Sequence, residues 1–175
     1  MKSYEFTLAF ALPASGVDVD DYIERLGESD CDDAIVGVGR RARIALSFVR
    51  EADSAQNAVL HAIANVRRAI PDAALIEASP DLVGFTDVAD LLHVSRQNVR
   101  KLLFNSEALA PAPVHEGRPS IWRLAKVLHW LREQKGYPID EDLVALAEAT
   151  MQVNLAVDVK DAVRSSQEEI LALLA

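Results

Sequence analysis

The chain is 175 residues long and half of its residues are apolar, with 27 acidic and 18 basic side chains for a formal net charge of −9. That length holds one large domain or two small ones with a real core. The acidic balance argues against a nucleic-acid surface spread over the whole chain, and the single cysteine, Cys31, excludes an internal disulfide.

Residues 4–12 are aromatic and apolar and stop at Pro13, as a first strand does. The apolar run at 6–12 follows Glu5 and is too short for a secretion signal. No stretch reaches the roughly 20 apolar residues of a membrane span, so a soluble, cytoplasmic protein without membrane contact is expected. Residues 17–26 open with acids and place Val19, Tyr22, Ile23 and Leu26 at helical spacing. Residues 33–38 and 43–50 read as a hairpin turning at Gly39-Arg40-Arg41. Ser54 is an N-cap for a helix whose apolar face is Ala58, Val59, Ala62, Ile63, Val66 and Ile70; Pro71 ends it, and 74–78 is a last strand.

The order β-α-β-β-α-β is the split βαβ, ferredoxin-like arrangement of an α+β fold, expected over residues 1–80. It leaves one sheet face open and does not identify a function. The lone GxG at Gly37 and Gly39 leads into a hairpin and not a helix, the wrong context for a phosphate loop. Residues 80–84 form a compact joint, too short and apolar for a flexible tether.

Charge is uneven along the chain. Residues 1–85 carry 8 basic and 14 acidic side chains (net −6), residues 86–136 carry 8 and 5 (net +3), and residues 137–175 carry 2 and 8 (net −6). The basic middle coincides with two short helices across a tight turn. Thr86 is expected to cap the first, with Val88, Leu91 and Leu92 inward. Ser95 caps the second, with Val99, Leu102 and Leu103 inward, which leaves Arg96, Gln97, Asn98, Arg100 and Lys101 outward. Arg reads guanine bidentately and Gln or Asn reads adenine, so Arg96, Gln97 and Arg100 are the first choices for base contacts and Lys101 for phosphate. Trp122 and Trp130 are expected in the core.

FTDVADLLHVSRQNVRKLL at 85–103, PAPVHEGRPSIW at 111–122 and VLHWL at 127–131 together resemble the MerR-like winged helix-turn-helix superfamily, including excisionase and AlpA-type regulators. The resemblance implies a DNA-binding domain over residues 85–136 with a wing at 112–121 that brings His115 and Arg118 near the DNA backbone. One position departs from the pattern: the turn carries His93 where glycine often supplies a left-handed backbone.

Residues 139–175 are expected to form a helical tail. Leu143, Leu146, Thr150, Val153 and Val157 make a 3-4 seam that serves equally for packing within the chain or for a dimer or partner contact, and Ser166 to Glu169 is a second capping signal before 170–174.

The sequence thus points to a dimeric, sequence-specific regulator of double-stranded DNA, with Ser95, Arg96, Gln97, Asn98, Arg100, Lys101, His115 and Arg118 as the candidate DNA-binding residues. An antitoxin-type repressor with a toxin-like protein partner on its acidic tail, and a regulator gated by a small molecule in the first domain, are the alternatives. No catalytic role, cofactor or metal is assigned. His61, His93, His115 and His129 are scattered, and the acids at 18–21 and 32–33 lack the glycine and terminal glutamate of a calcium loop.

Overall fold

The computed structural model describes residues 1–13, 18–39, 42–104 and 110–162. The chain is mixed α+β. Its first half runs β1 (Lys2–Ala11), α1 (Val19–Gly27), β2 (Ala34–Val38), β3 (Arg43–Ala52), α2 (Ala55–Ala69) and β4 (Ala74–Ser79). The four strands form one antiparallel sheet in the order β2-β3-β1-β4.

Alternation along the central strands builds the first core. Tyr4, Phe6, Leu8 and Phe10 of β1 point to the same side as Ile44, Leu46 and Phe48 of β3, and Phe6 stacks on Phe48 at 5.3 Å between ring centroids. Tyr22 and Leu26 of α1 and Ala58, Val59, Ala62 and Val66 of α2 close over them. Small α2 side chains let that helix approach closely, and each large side chain buried here contributes roughly 1.5–3 kcal/mol. Ser54 caps α2 as expected, its Oγ accepting from Asn57 N–H at 3.2 Å. The opposite sheet face carries Glu5, Thr7, Ala45, Ser47 and Val49 and stays largely in solvent.

The second half comprises β5 (Leu82–Val83), α3 (Phe85–Leu92), α4 (Arg96–Phe104), β6 (Trp122–Arg123), α5 (Leu124–Lys135) and α6 (Glu141–Asp161). A second core gathers Val88, Ala89, Val99, Leu103, Trp122, Leu128, Trp130 and Leu131. Both tryptophans are buried, as their pattern predicts. The joint after β4 is more than a connector: Leu82 and Val83 pair with Arg123 and Trp122 in a small antiparallel ladder.

Helix α6 spans both cores. Leu146 and Ala149 belong to the first, Val144 and Ala147 to the second. The Leu146–Thr150–Val153 part of the tail seam therefore packs within the chain; residues 163–175, with the second capping signal, lie outside the described residues.

Polar groups complete this junction. Asp81 has no exposed surface, and its carboxylate is ion-paired with Arg123 of β6. The Asn154 amide nitrogen donates to Asp81 at 2.7 Å and to Ala78 C=O at 2.8 Å, while its oxygen accepts from Ala78 N–H at 2.7 Å. Thr150 donates to Pro80 C=O at 2.6 Å, and Asp158 lies 3.6 Å from the Arg123 guanidinium. A buried charge persists only when paired and hydrogen-bonded, so β4, β6 and α6 are tied at one point. Among the described residues no helix is long and apolar enough to cross a membrane.

Candidate nucleic-acid interface

Local chemistry sets the two helices. The N-cap of α3 is Gly84, not Thr86: the Asp87 carboxylate reaches back to accept from Gly84 N–H at 2.7 Å, and Thr86 falls inside the first turn. With Asp87 at the third helical position closing back onto Gly84 N–H, the helix begins two residues earlier than a Thr86 cap would set.

The turn closes at His93, whose φ of 53° and ψ of 40° are left-handed. Val94 N–H donates to Ala89 C=O at 3.0 Å and His93 N–H to Asp90 C=O at 3.2 Å, a Schellman closure that occupies two helix-end carbonyls. A histidine therefore adopts the conformation that glycine adopts more cheaply. Ser95 then caps α4, its Oγ accepting from Asn98 N–H at 3.2 Å.

Val99 and Leu103 face the second core and Leu102 is half-buried. The 3.6-residue period consequently leaves Arg96, Gln97, Asn98, Arg100 and Lys101 exposed, as the pattern predicts.

The segment after α4 folds back as a short hairpin. Val114 N–H donates to Ile121 C=O at 2.8 Å and Ile121 N–H to His115 C=O at 3.0 Å. Ser120 Oγ bonds to Gly117 C=O at 3.1 Å across the tip, and the Arg118–Pro119 peptide is cis. A Cβ on Gly117 would lie 2.2 Å from His115 Nε2, so glycine is what lets the imidazole lie across the tip. At the base, Trp122 Nε1 donates to Pro111 C=O at 3.0 Å, pinning both limbs.

An aromatic trio sets the hairpin against α4. Phe85 lies 5.0 Å from Trp122 and 5.6 Å from Phe104, and Phe104 lies 6.0 Å from Trp122 in an edge-to-face contact. Between α4 and the hairpin runs a groove of about 970 Å³. Arg96, Gln97 and Arg100 line it from α4 and Arg118 and Pro119 from the hairpin tip, with Phe85 and Phe104 between them and no acidic side chain among the described lining residues. Lys101 borders an adjoining hollow with Gln97, Arg100 and Phe104. Ser95, Asn98 and His115 are exposed but do not line the groove.

Compared with family models, curated proteins and solved structures, the chain matches none of them. The geometry and charge of the groove therefore carry the functional argument.

Among the described residues, no ion pair or hydrogen bond engages the side chains of Arg96, Arg100, Lys101 or Arg118. Three guanidiniums from two elements thus converge on one concavity, each with its donors available for a planar or tetrahedral anion. Phe104, 49% exposed, is one of the lining residues that the sequence pattern did not single out. Its signal was a large apolar residue one position past Leu103, off the inward face. Arg123, by contrast, counted toward the basic middle but is held by Asp81. Among the described residues no group of three or more His, Cys, Asp or Glu side chains could hold a metal ion.

Proposed function

We propose that the chain is a sequence-specific DNA-binding transcriptional regulator, with a ferredoxin-like first unit and a winged helix-turn-helix of MerR-like type formed by α3, α4 and the 112–121 hairpin. The observation that carries this reading is the convergence of Arg96, Gln97 and Arg100 on α4 with Arg118 on the hairpin around one groove. The strand order β2-β3-β1-β4 and the left-handed turn at His93 support the two fold assignments.

In this reading α4 enters the major groove, where Arg96 and Arg100 address guanine and Gln97 addresses adenine. Lys101 contacts phosphate beside it, and Arg118 contacts the backbone from the wing. The acidic remainder of the chain discourages non-specific association and leaves this face to direct docking.

Fluorescence-anisotropy titration against DNA from upstream of its own gene, with an unrelated duplex of equal length and two salt concentrations, tests the proposal. Tighter binding to the upstream duplex is expected. Equal weak binding that vanishes with salt would reduce the face to a generic basic patch, and no binding to either duplex would reject the reading.

A ligand-gated version has one specific observation in its favour. A groove of about 580 Å³ between α2 and α6, lined by Val59, Leu60, Ala149, Met151 and Val153 among others, falls in the size range of small-molecule sites and touches the helix that bridges both cores. A metabolite panel that raises the melting temperature of the full chain, but not of a Val153→Trp variant filling this groove, is its test.

A further inference from the structure

The two edges of the four-stranded sheet are finished differently. At β4 the Asn154 amide pairs with both backbone groups of Ala78, and α6 lies along the strand. At β2, nothing among the described residues pairs with the outer side. The register fixes which groups are left over. Val49 N–H donates to Asp33 C=O and Gly39 N–H to Arg43 C=O, so the odd-numbered residues bond to β3. The alternation of an antiparallel ladder then turns the N–H and C=O groups of Val36 and Val38 outward.

Soluble proteins protect such an edge with lysine, proline or a bulge. This strand reads Ala34-Ile35-Val36-Gly37-Val38, with Ile35 79% and Val38 58% exposed.

We propose that β2 pairs antiparallel with β2 of a second copy around a two-fold axis at Val36, joining the two sheets into one. Val36 then faces its own equivalent, Ile35 faces Gly37 of the second copy, and Ala34 faces Val38. Each large exposed side chain meets a small one, and the pattern is its own complement, as a contact between identical surfaces requires. The new ladder rests on the Val36 pair and, on either side, on a bond from Val38 N–H to Ala34 C=O; Ala34 N–H is already taken by Cys31 C=O at 3.1 Å.

Gly37 is the most telling position. Its φ is not positive, and a Cβ there would meet nothing closer than Ala45 O at 3.8 Å, so the fold of one chain gives no reason for glycine. A glycine inside a strand accompanies a bulge, a bend or the close approach of another group, and β2 pairs with β3 without a register shift. Ile35 of the second copy is that group. The pairing is independent of the DNA reading, because this edge and the arginine groove lie on different parts of the chain. Where both hold, it supplies the second α4 that a two-half-site operator needs.

Sedimentation equilibrium of the full chain without DNA, from about 5 to about 200 µM, tests the proposal, since so short an edge forms a small and reversible interface. The wild type is expected to follow a monomer–dimer equilibrium. Ile35→Lys, a change at an exposed position, is expected to weaken association at least about tenfold, with the melting temperature unchanged at a concentration low enough for both proteins to be monomeric. A wild type that stays monomeric throughout, or a variant that dimerises like the wild type, overturns the proposal.

Cross-linking tests the register and serves equally if the lysine variant fails to fold. Facing residues in a hydrogen-bonded antiparallel pair lie about 5.5 Å apart at Cα, within disulfide reach. Val36→Cys should therefore link two chains under mild oxidation, and Ile35→Cys should not. Cys31 is buried, its thiol pushed up by that burial, and is a silent background. Failure of Val36→Cys to link, or equal linking at both positions, overturns the register.

Discussion

Arg123 and Arg100 belong to the same half of the chain and differ in every respect that decides what a charge is for. The Arg123 side chain is 12% exposed, lies against a carboxylate with no exposure at all, and shares that carboxylate with Asn154. Arg100 stands in solvent on α4, without an ion pair among the described residues, beside two further arginines on the same groove. The first charge answers a requirement of the fold: a carboxylate taken fully out of water needs a paired cation beside it. No such requirement places the second. In the first half of the chain Arg50 is likewise held by a carboxylate, Asp33, whose hydrogen bond raises the arginine's pKa further, although Asp33 is itself partly exposed. Basic residues counted together in the sequence thus separate by partner into those the fold uses and those it holds out.

Arg123→Ala should produce the largest effect and act on stability, costing about 3–5 kcal/mol by leaving Asp81 buried and uncompensated. Urea unfolding measures it, and a loss below about 1 kcal/mol would show that Asp81 does not depend on this partner. Asn154→Ala should follow at about 1–3 kcal/mol, because it strips hydrogen bonds from Asp81 and from both backbone groups of Ala78.

The groove should behave in the opposite way. Arg100→Ala is expected to change stability by no more than about 0.5 kcal/mol while costing about 1–3 kcal/mol of binding to the preferred duplex, read by anisotropy. A stability loss comparable to that of Arg123→Ala would erase the distinction between the two sites. Arg118→Ala should weaken specific and unrelated duplexes alike and lower the slope of log K against log salt by about 1. The smallest effect should come from His93→Gly, a gain of up to about 1 kcal/mol from relief of the left-handed turn. Destabilisation there would mean that the imidazole makes a contact beyond its backbone role.

Much of the local structure was legible because it depends on near neighbours in sequence. The apolar face of α2, its Ser54 cap, the Ser95 cap and the outward set on α4 all follow from a 3.6-residue period and from which side chains can reach a free N–H. Thr86 misled because it has the side chain of a cap but stands inside the first turn, and only the bond from Gly84 N–H to Asp87 marks the true helix start. The groove was half legible. Its α4 residues and Arg118 stood out by type, whereas Phe104 became part of it only through the rings of Phe85 and Trp122.

By itself the sequence determined the order of strands and helices through 79, the turn between α3 and α4, and the surplus of basic side chains in the middle, because periodicity, caps and charge are properties of short stretches. Only the tertiary structure decided that α6 joins two cores, that Asp81 removes Arg123 from the basic set, and that α4 and the hairpin tip share one groove. Those outcomes depend on which residues distant in the chain come within a few ångströms of each other, and burial, which sets whether a charge must be paired, exists only once they do.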